Sequence, residues 1–232
     1  MKKISRLSVS LFFVIILGIA LVTFLNHLHA QQTDDQKAFT MAEKAYEQGD
    51  YKNAIEFYKK ALLKERYVDK SEIQILSSFD KLHQPEEKIN FLKDRIETYH
   101  GDAFRQAFKY RRIADIYKNE LKNNQLARVF YQKSIEKLVT PDALISLSEM
   151  DESKGNINSA IDFREKALSK MTIIDTETLA RIKAADLAKL GNLYLQVNRE
   201  ADARRIFEEA LKLNPKSREA QNGLEKLTNP KK

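Results

Sequence analysis

The side chains best able to do chemistry in this chain are few, and their spacing is unfavourable. The four histidines are His27, His29, His83 and His100. His27 and His29 are close enough to suggest a metal pair, but they come directly after an apolar run and read as a solvated stretch beside it. His83 stands in an expected turn near Pro85, and His100 closes an expected helix next to Gly101, where a cation meets the negative end of the helix dipole. Carboxylate pairs such as Glu86-Glu87 and Glu208-Glu209 are sequence neighbours, so on a helix they point about 100° apart and cannot share a substrate. The chain has no cysteine, which excludes thiol nucleophiles, disulfides, cysteine-ligated zinc or iron–sulfur centres and a lipid-bearing N-terminal cysteine. No phosphate-cradling glycine loop and no nucleophile paired with a base is present, so the expectation is a non-enzymatic protein with no cofactor and no metal site. One basic cluster stands out: Arg105, Lys109 and Arg112 fall on one helical face beside Phe104 and Phe108. Such a face suits solvent first, and an acidic partner or anionic lipid second.

The elements that must carry these residues are helices, because only 6 glycines and 4 prolines punctuate 232 residues. Lys2, Lys3 and Arg6 precede an uncharged run of 19 residues from Leu7 to Leu25, long enough to span roughly 28 Å as a helix. Basic residues before such a run keep the N-terminus in the cytoplasm and send the rest of the chain across the membrane. Residues 1–30 are therefore expected to be a transmembrane anchor of the inner membrane with a periplasmic C-terminal domain. The alternative is a signal peptide cleaved after Ala30, which releases residues 31–232. Beyond residue 30 the charges are interleaved, as in Glu43-Lys44, Lys64-Glu65-Arg66 and Arg199-Glu200, and offer no concentrated basic face to nucleic acid.

The stretch Leu190-Gly191-Asn192-Leu193-Tyr194, followed by Ala203, Phe207, Ala210-Leu211 and Pro215, sets an internal frame. With Gly191 as position 8 of a 34-residue unit, Tyr194 is position 11, Ala203 is 20, Phe207 is 24, Ala210 is 27 and Pro215 is 32. The frame recurs in Ala42, Gly49-Asp50-Tyr51, Ala54, Tyr58 and Ala61-Leu62. It returns in Ala114, Tyr117, Ala127, Tyr131 and Ser134-Ile135 with one extra turn residue, and in Gly155-Asn156, Ala160 and Ala167-Leu168. Position 20 is held by Ala54, Lys88, Ala127, Ala160 and Ala203, spaced 34, 39, 33 and 43 residues apart. Lys88, with Leu76 at position 8, marks a degenerate second unit. Apolar and small residues in each second helix, such as Ala203, Ile206, Phe207, Ala210 and Leu211, follow one face of a 3.6-residue period. Asp50 and Asn156 read as turn residues, Thr140-Pro141 and Asp175-Thr176 as helix starts, and Ser217 to Leu227 as a helix covering the last unit.

This pattern resembles the tetratricopeptide repeat, although the tryptophan frequent at position 4 of that family is missing, with Ala38 and Leu187 in its place. The resemblance implies an all-α, right-handed solenoid of about five helical hairpins with a C-terminal cap helix. The units are approximately 35–68, 69–102, 107–140, 141–174 and 184–217, and the cap is 217–228. It also implies a concave groove lined by positions 2, 5, 9 and 12 of each first helix. Carried over, these positions give Phe39, Glu43 and Tyr46; Ile73, Ser77 and Asp80; Arg111, Asp115 and Lys118; Ile145, Glu149 and Glu152; and Asn192 and Leu195. The Lys/Asn carboxylate clamp known in the family is not present in that form, because position 5 holds Phe39, Ile73, Arg111, Ile145 and Ala188. The implied function is protein–protein interaction, as a scaffold or assembly factor binding a protein or peptide partner in an envelope complex. The alternative is a non-catalytic binding subunit for a small or polymeric ligand, such as a wall glycan or transported solute.

Overall fold

The computed structural model describes residues 34–62, 67–171 and 177–228. The apolar N-terminal run, His27, His29, Ala30 and the expected helix start at Asp175-Thr176 lie outside these residues. Among the described residues there are eleven helices and no strand: α1 (Asp34–Glu47), α2 (Tyr51–Ala61), α3 (Val68–Lys81), α4 (Pro85–Thr98), α5 (Ala103–Asn119), α6 (Asn124–Lys137), α7 (Pro141–Glu152), α8 (Ile157–Lys170), α9 (Glu177–Gln196), α10 (Glu200–Leu213) and α11 (Arg218–Thr228). None of them is long and apolar enough to cross a membrane.

Local chemistry sets the boundaries. The Asp50 carboxylate accepts the Asn53 N–H at 3.3 Å, the Asp102 carboxylate accepts the Arg105 N–H at 2.9 Å, and the Asn123 side chain accepts the Leu126 N–H at 3.0 Å. Each satisfies one of the donors a helix start leaves open. Gly49 and Gly155 turn the chain at φ 77° and 78°, a region that side chains disfavour. At two other helix starts the preceding side chain makes no such bond. Thr140 precedes Pro141 at the start of α7, but its hydroxyl is buried without a hydrogen bond, and the helix opens on its carbonyl, which accepts the Leu144 N–H at 3.3 Å. Asn156 makes no side-chain cap, and its backbone N–H donates to the Asp151 carbonyl at 2.9 Å.

The chain divides between Gln84 and Pro85 into two compact units. The helices of the expected degenerate second hairpin, α3 and α4, belong to different units. In the first unit α1 and α2 form a hairpin, and α3 packs on α2. In the second unit α5/α6, α7/α8 and α9/α10 are hairpins, α4 packs on α5, and α11 covers α9 and α10.

Small residues let these pairs close. Ala42 faces Ala54 in the first hairpin and Ala114 faces Ala127 in the third, and all four are completely buried. In the α7/α8 hairpin the position 8 residue is Ser148, whose hydroxyl donates to the Ala160 carbonyl at 2.7 Å, a direct measure of how near the backbones come. Ser134 likewise donates to the Ala107 carbonyl at 2.9 Å. Lys88, which holds position 20 in the degenerate unit, has a buried stem and an ammonium group that reaches out to Glu120 at the end of α5 at 3.0 Å.

Phe207 is fully buried against Gly191 and Gly223. A methyl group placed on Gly191 would stand 2.5 Å from the ring, closer than carbon atoms approach. Gly191→Ala is therefore expected to destabilise the fold by about 1–3 kcal/mol, the usual cost of overpacking. Combining it with Phe207→Leu should recover part of the loss, because the two changes share one contact. Thermal melts of the single and double variants beside a Lys212→Ala surface control check this, and strictly additive losses would contradict the packing described.

Candidate functional site

In the first unit, α1 presents Phe39, Glu43 and Tyr46 along one face. The Glu43 carboxylate is the hub. It accepts the Tyr58 hydroxyl from α2 and the Lys70 ammonium from α3 at 2.9 Å. Lys70 also lies 4.8 Å from the centre of the Phe39 ring, which stacks on Tyr67 at 4.5 Å. Tyr46 and Ser77 share a hydrogen bond of 2.7 Å between their hydroxyls. Burial alone would raise Glu43, but the bonds from Tyr58 and Lys70 outweigh it and hold the carboxyl below its ordinary range. Burial, and then the neighbouring Glu43, push the Tyr58 phenol far up, so it remains a donor. Asp80 is exposed, and Ile73 is an apolar side chain 65% exposed on α3.

The second unit repeats the arrangement with different chemistry. Asp115 accepts the Tyr131 hydroxyl at 2.6 Å and pairs with Arg111 at 3.2 Å. The Arg111 guanidinium lies 5.1 Å from the centre of the Phe108 ring. Lys118 reaches Glu149 of the next hairpin at 3.0 Å, and Lys189 approaches the same carboxylate at 3.8 Å. Asn192 donates to Glu219 of the covering helix at 2.9 Å. Ile145 and Leu195 are half-buried, and Glu152 is exposed.

Two rules emerge. A position 24 tyrosine donates to the position 9 carboxylate of its own hairpin, as in Tyr58 to Glu43 and Tyr131 to Asp115. A position 12 side chain reaches position 9 of the next first helix, as in Tyr46 to Ser77 and Lys118 to Glu149. Most polar residues on this face are thus tied to a neighbour, and Ile73 is left outward.

The expected solvated basic face on α5 is only partly solvated: the Arg105 side chain is 41% exposed and Arg112 half-buried. Lys109 is buried, with its ammonium group 5.2 Å from the Tyr99 ring centre. Arg105 and Arg95 approach the same ring at 4.7 and 4.9 Å. Cation–π attraction to Tyr99, which sequence spacing does not suggest, folds these charges onto the protein. The neighbouring phenylalanines stay out, with Phe104 67% and Phe108 42% exposed. Phe108 holds position 2 of its unit and joins the expected groove residues here, since the frame that places Arg111 on this face places Phe108 there too. Among the described residues no group of three or more histidines, aspartates or glutamates could hold a metal ion.

The α6–α9 region is fastened by further pairs with no sequence signature. Arg128 meets Asp151 at 2.6 Å, and Ser159 donates to the same carboxylate at 2.6 Å. Arg164, fully buried, pairs with Asp186 at 2.7 Å. Burial pushes Asp186 up more than the neighbouring cations bring it down.

Residues 184–217, which hold Gly191, Tyr194, Ala203 and Phe207, match the family model of the tetratricopeptide repeat. Residues 45–63, in the first hairpin, match a second model of that family. The chain carries tetratricopeptide repeats. No curated protein matches it by sequence, but solved tetratricopeptide-like structures share its fold. MamA is 21% identical, over 79% of this chain and 93% of its own, with a TM-score of 0.53. BtubC from P. vanneervenii is 16% identical, over 81% of each chain, with a TM-score of 0.54. YrrB, described as a TPR protein with an unusual peptide-binding site, is 13% identical, over 81% of this chain and 90% of its own, with a TM-score of 0.51.

The ion pairs give the repeats a pH dependence. Burial would raise Asp151, but bonds from Arg128 and Ser159 prevail and hold it, like Glu43, below the ordinary carboxylate range. A carboxyl lowered by folding adds stability above its unfolded pKa of about 4, and that stability is lost as pH falls through the lower folded value. Urea midpoints are therefore expected to drop between about pH 5 and pH 2. Asp151→Asn should lose about 1–3 kcal/mol at neutral pH and show a shallower acid-side drop. An acid-side drop equal to that of the wild type would contradict this role for Asp151.

Proposed function

We propose that this protein is a non-enzymatic scaffold or assembly factor that docks a peptide segment of a partner protein on the first-helix faces of its repeats. The observation that carries this reading is the division of labour on those faces. Glu43, Tyr46, Ser77, Arg111, Asp115, Lys118 and Glu149 are engaged with neighbouring side chains, while Ile73 in one unit and Phe104 and Phe108 in the other stand exposed. An apolar anchor beside a fixed polar frame is the form in which a few side chains dominate binding energy. The peptide-binding site ascribed to YrrB, a protein of the same fold, supports the same direction. We further place the repeats outside the cytoplasmic membrane, in an envelope complex. Support comes from the sequence, in which Lys2, Lys3 and Arg6 precede the uncharged run Leu7 to Leu25.

The test begins with affinity purification from detergent-solubilised membranes and mass spectrometry of the co-eluting proteins. The captured partner is then titrated against Phe108→Ala, Ile73→Ala and the outer control Lys137→Ala. Truncating an anchor should weaken capture by about 2 kcal/mol, roughly thirtyfold, with melting unchanged. Full retention by both anchor variants, with loss in the Lys137 variant, would overturn the reading.

A further inference from the structure

Away from the first-helix faces, the second unit carries two cavities at equivalent places in the repeat frame. One, of about 340 Å³, lies where α4 meets α5 and α6. The other, of about 290 Å³, lies where α8 meets α9 and α10. Each is bounded by positions 25 and 28 of one unit and positions 4, 23 and 26 of the next, which makes each an internal control for the other.

The α8–α9–α10 cavity is satisfied by its own protein. Tyr194 donates its hydroxyl to Glu165, Arg205 meets Asp202 at 3.7 Å, and Lys183 donates to the Met171 carbonyl at 3.2 Å. The α4–α5–α6 cavity is not. Lys93 and Lys133 hold position 25 and position 26, where the other cavity has Glu165 and Glu209. Their ammonium groups lie 5.9 and 5.2 Å from the centre of the Phe130 ring, and Lys133 is also 6.0 Å from that of Tyr110. Phe130 is buried and stacks on Tyr117 at 5.4 Å. Among the described residues, no acceptor stands within hydrogen-bond distance of either ammonium group or of the Tyr110 hydroxyl. Burial, and then Glu97 and Glu136, raise the Tyr110 phenol, so it is a donor at neutral pH.

Among the described residues, three donors without a protein acceptor, the exposed Lys93 and Lys133 and the half-buried Tyr110, thus border an aromatic wall. We propose that this cavity binds a small aromatic carboxylate, whose ring lies against Phe130 and Tyr110 and whose carboxylate is held by Lys93, Lys133 and the Tyr110 hydroxyl. Asp94 and Glu97 also line the cavity and offset the charge of the two lysines, so recognition rests on the local contacts and the aromatic wall rather than on net charge. The site is formed largely by second helices, so it is separate from the partner-docking faces and does not depend on them.

The test uses the full chain and isothermal titration with 3-phenylpropionate, N-acetyl-L-phenylalanine and N-acetyl-L-phenylalanine amide. At least one acid should bind, and the neutral amide should bind at least about tenfold more weakly, as expected when a charge-assisted contact is lost. Preference for 3-phenylpropionate assigns the site to free aromatic acids, and preference for the acetylated amino acid assigns it to a chain end; both support the proposal. Lys93→Met with Lys133→Met should weaken acid binding at least about tenfold with unchanged melting, whereas Lys183→Met, in the equivalent cavity, should not. Equal binding of acid and amide, no binding of either acid at millimolar concentration, or full binding by the double-methionine variant would overturn it.

Discussion

A helical hairpin closes only where each helix offers a side chain small enough for the two backbones to meet, and the rest of this protein depends on those seats. Ala42 with Ala54, Ala114 with Ala127, Ser148 with Ala160 and Gly191 with Ala203 hold them, and all eight are buried. The close approach encloses one side of each helix, and so decides which residues enter the core and which are presented on the other side of each first helix. Glycine is required at one seat because the Phe207 ring occupies the space a side chain would need.

The residue at position 24 then decides the chemistry of the presented face. Where it is tyrosine, as in Tyr58 and Tyr131, its hydroxyl reaches the position 9 carboxylate and fixes it. Where it is Phe207, position 9 is Asn192, which is left to bond the covering helix at Glu219. Where it is Arg164, the guanidinium turns instead to Asp186 and Ser148 inside the core, and Glu149 is left to receive Lys118 and Lys189. One buried position thereby sets whether a carboxylate on the outer face is held by its own hairpin or by its neighbours.

Much of this is legible in the sequence, because the seats are local and periodic: a small residue at position 8 and another at position 20 mark a hairpin wherever they occur. Leu76 and Lys88 mark the second unit as irregular, and the division of the chain falls between its two helices. What periodicity does not carry is the direction of long polar side chains. By spacing, Lys109 belongs to a solvated face, yet it is buried against Tyr99, a residue ten positions earlier and just past the end of α4. The Arg128–Asp151 and Arg164–Asp186 pairs join different hairpins and have no spacing rule. The outward Phe104 and Phe108 are visible as residues, but their exposure depends on how much of α5 its neighbours cover.

The central claim is that partner recognition belongs to the first-helix faces. Phe108 on α5 and Val129 on α6 belong to the same hairpin and are each 42% exposed, so they differ in face and not in accessibility. A photoreactive phenylalanine analogue placed at either position, in the full chain within intact cells, compares the two faces directly. The account predicts crosslinking to the captured partner from position 108 and none from position 129. Crosslinking from position 129 with none from position 108 would contradict it.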